Sequence, residues 1–428
     1  MTHWILVVLG LLVTGCRTAP VDTADTADTA DTAPSSDRVL ALRWVQGYPE
    51  ETWEMVVEGL WWHLSNLGAI PPAGSPGIQI LEQTDEEVLF VLDLEQVGLP
   101  GSAWVGLDRA LEPLHNSQEL AVHGAVDLGR FLMRTVFHPW HYYAVTGACP
   151  DFEGYRAEHV ATETVEVAIT ASLLVEGHRR LQANATAATV SELVFVAMEG
   201  DGSLVEDTFE VGERETLDVM ENGQQRFAVY DVDGQLAAAS TPALSPAGQP
   251  GRCMWCHEAS LQQGSPENQD LEGFVSFADW LELLDGQQTM IDDHRASLST
   301  ALDFETYWVH SWSELLAEAF LYPPLDRVAL EWSVSRDEVD TWIDELGLST
   351  HTSEEYPEFG DLLTRDQVDT AYLEVLPTLV QRVDHPLYGR DIEEYSVLLT
   401  LSSAREFDPE VVELDDIDAL DALPSCGP

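Results

Sequence analysis

Apolar residues recur at helical spacing at Trp53, Val56, Val57, Leu60, Trp61 and Leu64, which predicts an amphipathic helix. Leu67-Gly68 and then Pro71-Pro72 stop it. Residues 88–94 have the β-branched and aromatic content of a strand, and a second helix is predicted over 122–136. From residue 164 to 234 the period changes to two. Val165, Val167 and Ile169 alternate with Glu166, Ala168 and Thr170. Residues 193–198 form a short apolar strand that should end at the turn Glu199-Gly200-Asp201-Gly202. Residues 226–232 alternate around Phe227, Val229 and Val232 before Asp233-Gly234. Beyond residue 276 the pattern is helical again. Capping-box starts lie at Ser276-Phe277-Ala278-Asp279, Ser335-Arg336-Asp337-Glu338 and Thr364-Arg365-Asp366-Gln367. Apolar-periodic runs follow at 280–284, 339–346 and 368–383, and Pro323-Pro324 closes a further helix ending at Leu321. The pattern predicts an α+β chain in three parts: an N-terminal α/β domain (38–158), a β-rich antiparallel segment (159–275) and a helical C-terminal region (276–428) whose stretch 410–422 is acidic.

The first 37 residues follow another logic. Residues 4–13 are a short apolar run, too short to span a bilayer and of the length of a signal-peptide core. It runs into Val13-Thr14-Gly15-Cys16, which resembles the lipobox of bacterial lipoproteins. The resemblance implies a signal peptide over 1–16 and a lipid on Cys16 as the mature N-terminus; an ordinary cleaved signal is the alternative. Residues 22–33 are Asp-Thr-Ala four times over, with nothing large to bury. Such a stretch cannot offset its ordering entropy, so 17–37 reads as a disordered leash. The expected location is extracytoplasmic, anchored by lipid to a bacterial membrane, in the periplasm or at the outer membrane.

Charge narrows the partners. There are 76 acidic against 19 basic residues, a formal net charge of -57, and every basic residue is arginine. Such a surface repels nucleic-acid phosphates and anionic headgroups, so no nucleic-acid partner is expected and membrane attachment falls to the lipid. The charge reads as a solubility device or as steering toward a basic redox partner, which is not identified.

Cysteine carries the chemistry. Cys253-Met254-Trp255-Cys256-His257 is the C-x-x-C-H pattern of c-type haem attachment. Two thiols add to the two haem vinyl groups, and the following histidine becomes an axial iron ligand. The pattern therefore predicts one covalent haem c held by Cys253, Cys256 and His257. A zinc site would want a second ligand pair at finger-like spacing, and a thioredoxin-like dithiol a βαβ setting, whereas the stretch before the motif, 242–251, is rich in Pro and Gly. A motif that has lost its haem is the third alternative. Met290, His294 and His310 are candidate distal ligands. Cys149 and Cys426 remain as a possible disulfide, which an oxidising compartment permits. Phe137-His138-Pro139-Trp140-His141-Tyr142-Tyr143 is either packed aromatic core or part of a haem pocket.

Residues 165–257 resemble the β-sheet cytochromes related to hydroxylamine-oxidising cytochromes and the β-type cytochromes c-prime. The carrying features are Arg226-Phe227-Ala228-Val229-Tyr230-Asp231, then Asp233-Gly234, then Cys253 to His257. The resemblance implies a sheet preceding the haem motif and a haem face walled by sheet side chains. The lysine crosslink of the hydroxylamine-oxidising members does not carry over, since the chain has no lysine. No nucleophile elbow, phosphate-binding glycine loop or His-Glu-x-x-His is present.

The expected function is a membrane-tethered monohaem c-type cytochrome that transfers single electrons. Alternatives are a five-coordinate haem enzyme or sensor for NO, CO or peroxide, and a structural or interaction lipoprotein. Replacing Cys16 by Ser should move the protein from the membrane to the soluble fraction on ultracentrifugation; retention in the pellet would exclude the lipid anchor.

Overall fold

The computed structural model describes residues 38–72, 74, 77–117, 119–120, 124–171, 177–241, 244, 250–257, 260–261, 268–300, 307–353, 359–369, 371, 423 and 426, without the side chains of 252, 255, 256, 307–312 and 314. Cys16, the signal peptide, the Asp-Thr-Ala leash, most of the run 368–383 and the acidic stretch 410–422 lie outside the described residues.

The alternation in Val39–Val45 (β1) turns Leu40, Leu42 and Trp44 inward. The strand sits inside a four-stranded sheet of order β2-β3-β1-β4, with β2 at Ile78–Gln83, β3 at Glu87–Asp93 and β4 at Val126–Asp127. β1 is antiparallel to β3 and parallel to β4. Helix α1, Trp53–Ser65, starts where Thr52 accepts the Met55 N–H at 3.4 Å and buries the predicted face of Val56, Leu60, Trp61 and Leu64. Helix α2 is Trp104–His115. The helix expected over 122–136 is shorter than its apolar pattern. Val126 and Asp127 pair with Leu42 and Arg43 of β1, and the Asp127 carboxylate then caps α3, Leu128–Thr135, at Gly129 N (2.8 Å). Two more helices follow, α4 (Pro139–Thr146) and α5 (Phe152–His159).

The period-two region forms a six-stranded antiparallel meander of order β10-β9-β8-β7-β6-β5. Its strands are β5 Thr164–Ile169, β6 Arg179–Asn184, β7 Val194–Asp201, β8 Glu210–Val219, β9 Gln225–Tyr230 and β10 Leu236–Ala237. β7 runs through the turn expected at Glu199. The register shifts between Glu199 and Gly200, and the chain reverses only at Gly202, whose φ of 91° suits glycine. β8 carries Glu210, Glu213, Arg214 and Glu215 among its apolar positions, which hid it from the hydropathy pattern.

Four helices follow: α6 (Pro250–His257), α7 (Phe277–Ser297), α8 (Tyr307–Leu321) and α9 (Leu325–Trp332), then α10, Arg336–Leu346. The boxes at Ser276, Ser335 and Thr364 cap as their sequences predict. One apolar core runs from Leu40 through both sheets to Leu321; smaller clusters gather around Trp332 and Trp342 and around Tyr48 and Phe359. Among the described residues, no helix is long and apolar enough to cross a membrane. A disulfide joins Cys149 to Cys426 with the Cα atoms 5.5 Å apart, closing a loop of 277 residues. On loop length alone it restricts the unfolded chain by on the order of 5 kcal/mol.

Between the first sheet and the C-terminal helices lies a buried charge network. Arg327 donates to Asp127 at 2.9 Å, to Glu331 at 2.7 Å and to the Val45 carbonyl at 3.1 Å. Arg365 forks onto both oxygens of Glu331 at 2.8 and 2.9 Å. Arg130 reaches Glu119 at 2.7 Å and Asp369 at 3.2 Å. The three guanidinium carbons stand 4.1 to 5.9 Å from the ring centre of Phe320. That ring occupies the space where a Cβ on residue 129 would fall, 2.4 Å from Phe320 Cγ, so only glycine fits there. Gly129→Ala should lower stability by about 1–3 kcal/mol. Arg365→Met should lower it by about 3–5 kcal/mol, because Glu331 stays buried with one guanidinium fewer. Arg336→Met, which removes only surface pairs to Asp326 and Asp340, should change it by about 0.5 kcal/mol or less. Urea unfolding followed by tryptophan fluorescence measures all three; equal effects at 336 and 365 would contradict this ranking.

Candidate functional site

The C-x-x-C-H motif forms the last turns of α6. On a helix, positions 253, 256 and 257 are spaced i, i+3 and i+4, so they share a face. α6 packs close to the N-terminal helices because residue 251 is glycine: a Cβ there would lie 2.6 Å from Phe137 Cδ1. Cys253 is buried, beside the Tyr142 and Tyr143 phenols. The side chain of Cys256 lies outside the described residues. The His257 ring rests against Phe227 of β9, centroids 5.3 Å apart. Its Nδ1 is buried with no hydrogen-bond partner, and burial lowers its pKa from 6.5 to about 4. At neutral pH His257 is therefore a neutral imidazole, the form that donates a lone pair to a metal.

The sheet supplies the wall opposite the helix. Phe227, Leu217 and Leu181 share one face by register with Arg179, Glu199 and Glu213. Arg179 pairs with Glu199 at 3.2 Å and is close enough to disfavour protonation of His257. Burial pushes the Glu199 carboxyl up to about 8 and that of Glu213 up to about 7. Glu213 accepts the Thr241 N–H at 2.6 Å, while its other oxygen is buried with no hydrogen bond. These residues were not singled out from sequence. In sequence Glu199 falls at a Gly-Asp-Gly turn signal, and Glu213 sits in the strand that the hydropathy pattern hides.

α4 holds the sheet in place. Tyr142 accepts the Phe227 N–H at 3.1 Å, and Tyr143 accepts the Val229 N–H while donating to the Ala237 carbonyl at 2.8 Å. Side chains thereby satisfy backbone groups on the edge of β9 that the two-residue β10 covers only in part. Arg226 donates to the Thr146 and Gly147 carbonyls at the end of the same helix. The histidines of this segment are buried core: the His138 and His141 rings stack at 4.0 Å, and His141 Nδ1 bonds the Arg134 carbonyl.

The distal candidates separate. Met290 and His294 lie on α7. Met290 is partly buried against the main core, and His294 donates Nε2–H to the Glu221 carbonyl at 2.8 Å. The His310 side chain lies outside the described residues. Among the described residues, no hydrogen bond or ring contact joins His257 to Met290 or His294.

No protein-family model, curated protein or solved structure matches the chain, so the site is read from its own residues.

The donor set fits a c-type haem: a buried cysteine, a second cysteine one helical turn on, and a neutral imidazole held against an aromatic wall. Glu199 and Glu213 make a separate, pH-dependent contribution. Both bind their protons more tightly folded than unfolded, so stability should fall as pH rises from the unfolded value near 4.5 through about 7 and 8. His257 acts oppositely, and its contribution is lost as pH falls from 6.5 toward about 4. Glu199→Gln should flatten the alkaline decline in the urea midpoint; an unchanged slope would show that Glu199 ionises as it does in the unfolded chain.

Proposed function

We infer that the protein is a membrane-tethered, extracytoplasmic monohaem cytochrome c that transfers single electrons. The observation that carries this reading is the placement of Cys253, Cys256 and His257 on one face of α6, with the imidazole kept neutral by burial. The two cysteines would hold the haem as thioethers, and His257 would ligate its iron. When bound, the haem supplies a one-electron iron couple. Phe227 lies against the His257 ring, and the Tyr142 and Tyr143 bonds hold the strand that carries Phe227. The apolar packing keeps water from the imidazole, and the acidic surface favours a basic electron partner.

A second reading is a five-coordinate haem open to a small ligand. Its support is that His294 is tied to Glu221 and Met290 to core packing. In that case Arg179, Glu199 and Glu213 supply polar groups on the sheet face that His257 shares.

The test is a haem-stained denaturing gel of protein made with a haem-attachment system, beside a Cys253→Ala/Cys256→Ala variant. Staining of the parent alone is expected. Absence of stain from full-length parent protein, with a control cytochrome stained, would overturn the reading. Carbon monoxide added to the reduced holoprotein then separates the two forms: an unchanged spectrum means six-coordinate electron transfer, and a shifted Soret band means an open position.

A further inference from the structure

The segment around the disulfide has a chemistry that the haem motif does not use. Cys149 Sγ, a carboxylate oxygen of Glu158 and a ring nitrogen of His159 all lie within 4.8 Å of one another. Cys426 joins them through the bridge. A Cβ on Gly154 would come within 3.2 Å of Cys426 Cβ, so Cys426 lies against the face of α5 that Glu158 shares one turn later. We propose that Cys149, Cys426, Glu158 and His159 form a zinc-type metal site that becomes available when the Cys149–Cys426 disulfide is reduced.

With the bridge intact neither sulfur is a thiolate, and two ligands remain. Reduction by a dithiol breaks the S–S bond: two electrons and two protons pass to the protein sulfurs, and the dithiol closes to its own disulfide. Binding of a divalent ion then displaces both thiol protons and completes a set of two sulfurs, one nitrogen and one oxygen. That set, near-tetrahedral and part-soft, suits zinc and its spectroscopic substitute cobalt over calcium or magnesium.

The surroundings match. Two thiolates and Glu158 bring three negative charges to a dication. The nearest cation, Arg226, has Nη2 3.5 Å from His159 Nε2, and Asp218 neutralises it at 2.9 Å. Burial lowers the proton affinity of His159, which leaves its ring a neutral donor. The ligands are also held in place. Tyr230 donates to the Cys149 carbonyl at 3.1 Å, Asp151 caps α5 through Gly154 N at 2.8 Å, and the Tyr155 ring lies 4.9 Å from that of His159. Glu158 is exposed, which gives ions a way in. The metal would keep Cys426 held to α5 after the covalent link is gone.

The test uses the full chain with Cys16→Ser, Cys253→Ser and Cys256→Ser, so that Cys149 and Cys426 are its only cysteines. Cobalt is titrated before and after treatment with a phosphine reductant, which does not compete as a thiol. One equivalent with the absorption of tetrahedral cobalt thiolate is expected after reduction and none before. Adding His159→Ala should weaken binding about tenfold or more. Adding Cys426→Ser, which needs no reduction, should leave a weaker cobalt site with fewer sulfur bands. The proposal is overturned if the reduced chain lacks those bands, if His159→Ala binds as tightly as its parent, or if circular dichroism shows that reduction unfolds the chain in the presence of metal.

Discussion

A buried charge must be paired, and in this molecule that rule joins distant parts of the chain. Arg130 from α3, Arg327 from α9 and Arg365 from the last described helical turn meet over Phe320 of α8. Burial alone would raise the Glu331 carboxyl, but Arg365 and Arg327 overcome this and hold it well below the usual carboxylate range. Arginine is the side chain for such a place, because its planar fork bonds two carboxylates and a carbonyl at once and stacks on an aromatic ring. In a chain without lysine, the cations of this network are all guanidiniums. The network fixes α8 against the first sheet, and α8 in turn packs on α6, where the cysteine motif lies.

The elements were largely legible in the sequence because hydropathy periodicity is local. The helix at Trp53, the meander from Thr164 and the capping boxes at Ser276, Ser335 and Thr364 all show in their own residues. β8 was not legible, because its glutamates and Arg214 face environments that only the folded sheet creates. The helix before Val136 was overextended because apolar residues pair in β4 as readily as they line a helix. The charge network was invisible for another reason: Glu119, Asp127, Arg130, Arg327, Glu331, Arg365 and Asp369 have no periodic relation and meet only through tertiary packing.

The candidate site divides the same way. Cys253, Cys256 and His257 are adjacent in sequence, so their association needs no fold to reveal it. What the fold adds is environment: the buried imidazole, the Phe227 wall, and the shared face with Arg179, Glu199 and Glu213. The aromatic run before Gly147, ambiguous as a string of letters, acts as a clasp, since two tyrosine hydroxyls complete the backbone bonds of the strand that His257 leans on. In sequence Cys149 and Cys426 are only a possible pair; the fold supplies the bridge, and their folded neighbours, Glu158 and His159, give that pair a second chemistry.

The bridge also has a mechanical consequence. It makes residues 149 to 426 a covalent ring, with the N-terminal 148 residues as a strand leading into it. Tension applied between the two ends of the chain runs through that leading strand and across the sulfur–sulfur bond, bypassing the meander and α6. A load applied ahead of β1 would therefore act first on β1 and α1 while leaving the covalent ring unstretched. The cysteine motif lies inside the ring, whereas the tyrosines of α4 that hold its sheet lie in the part that carries the load.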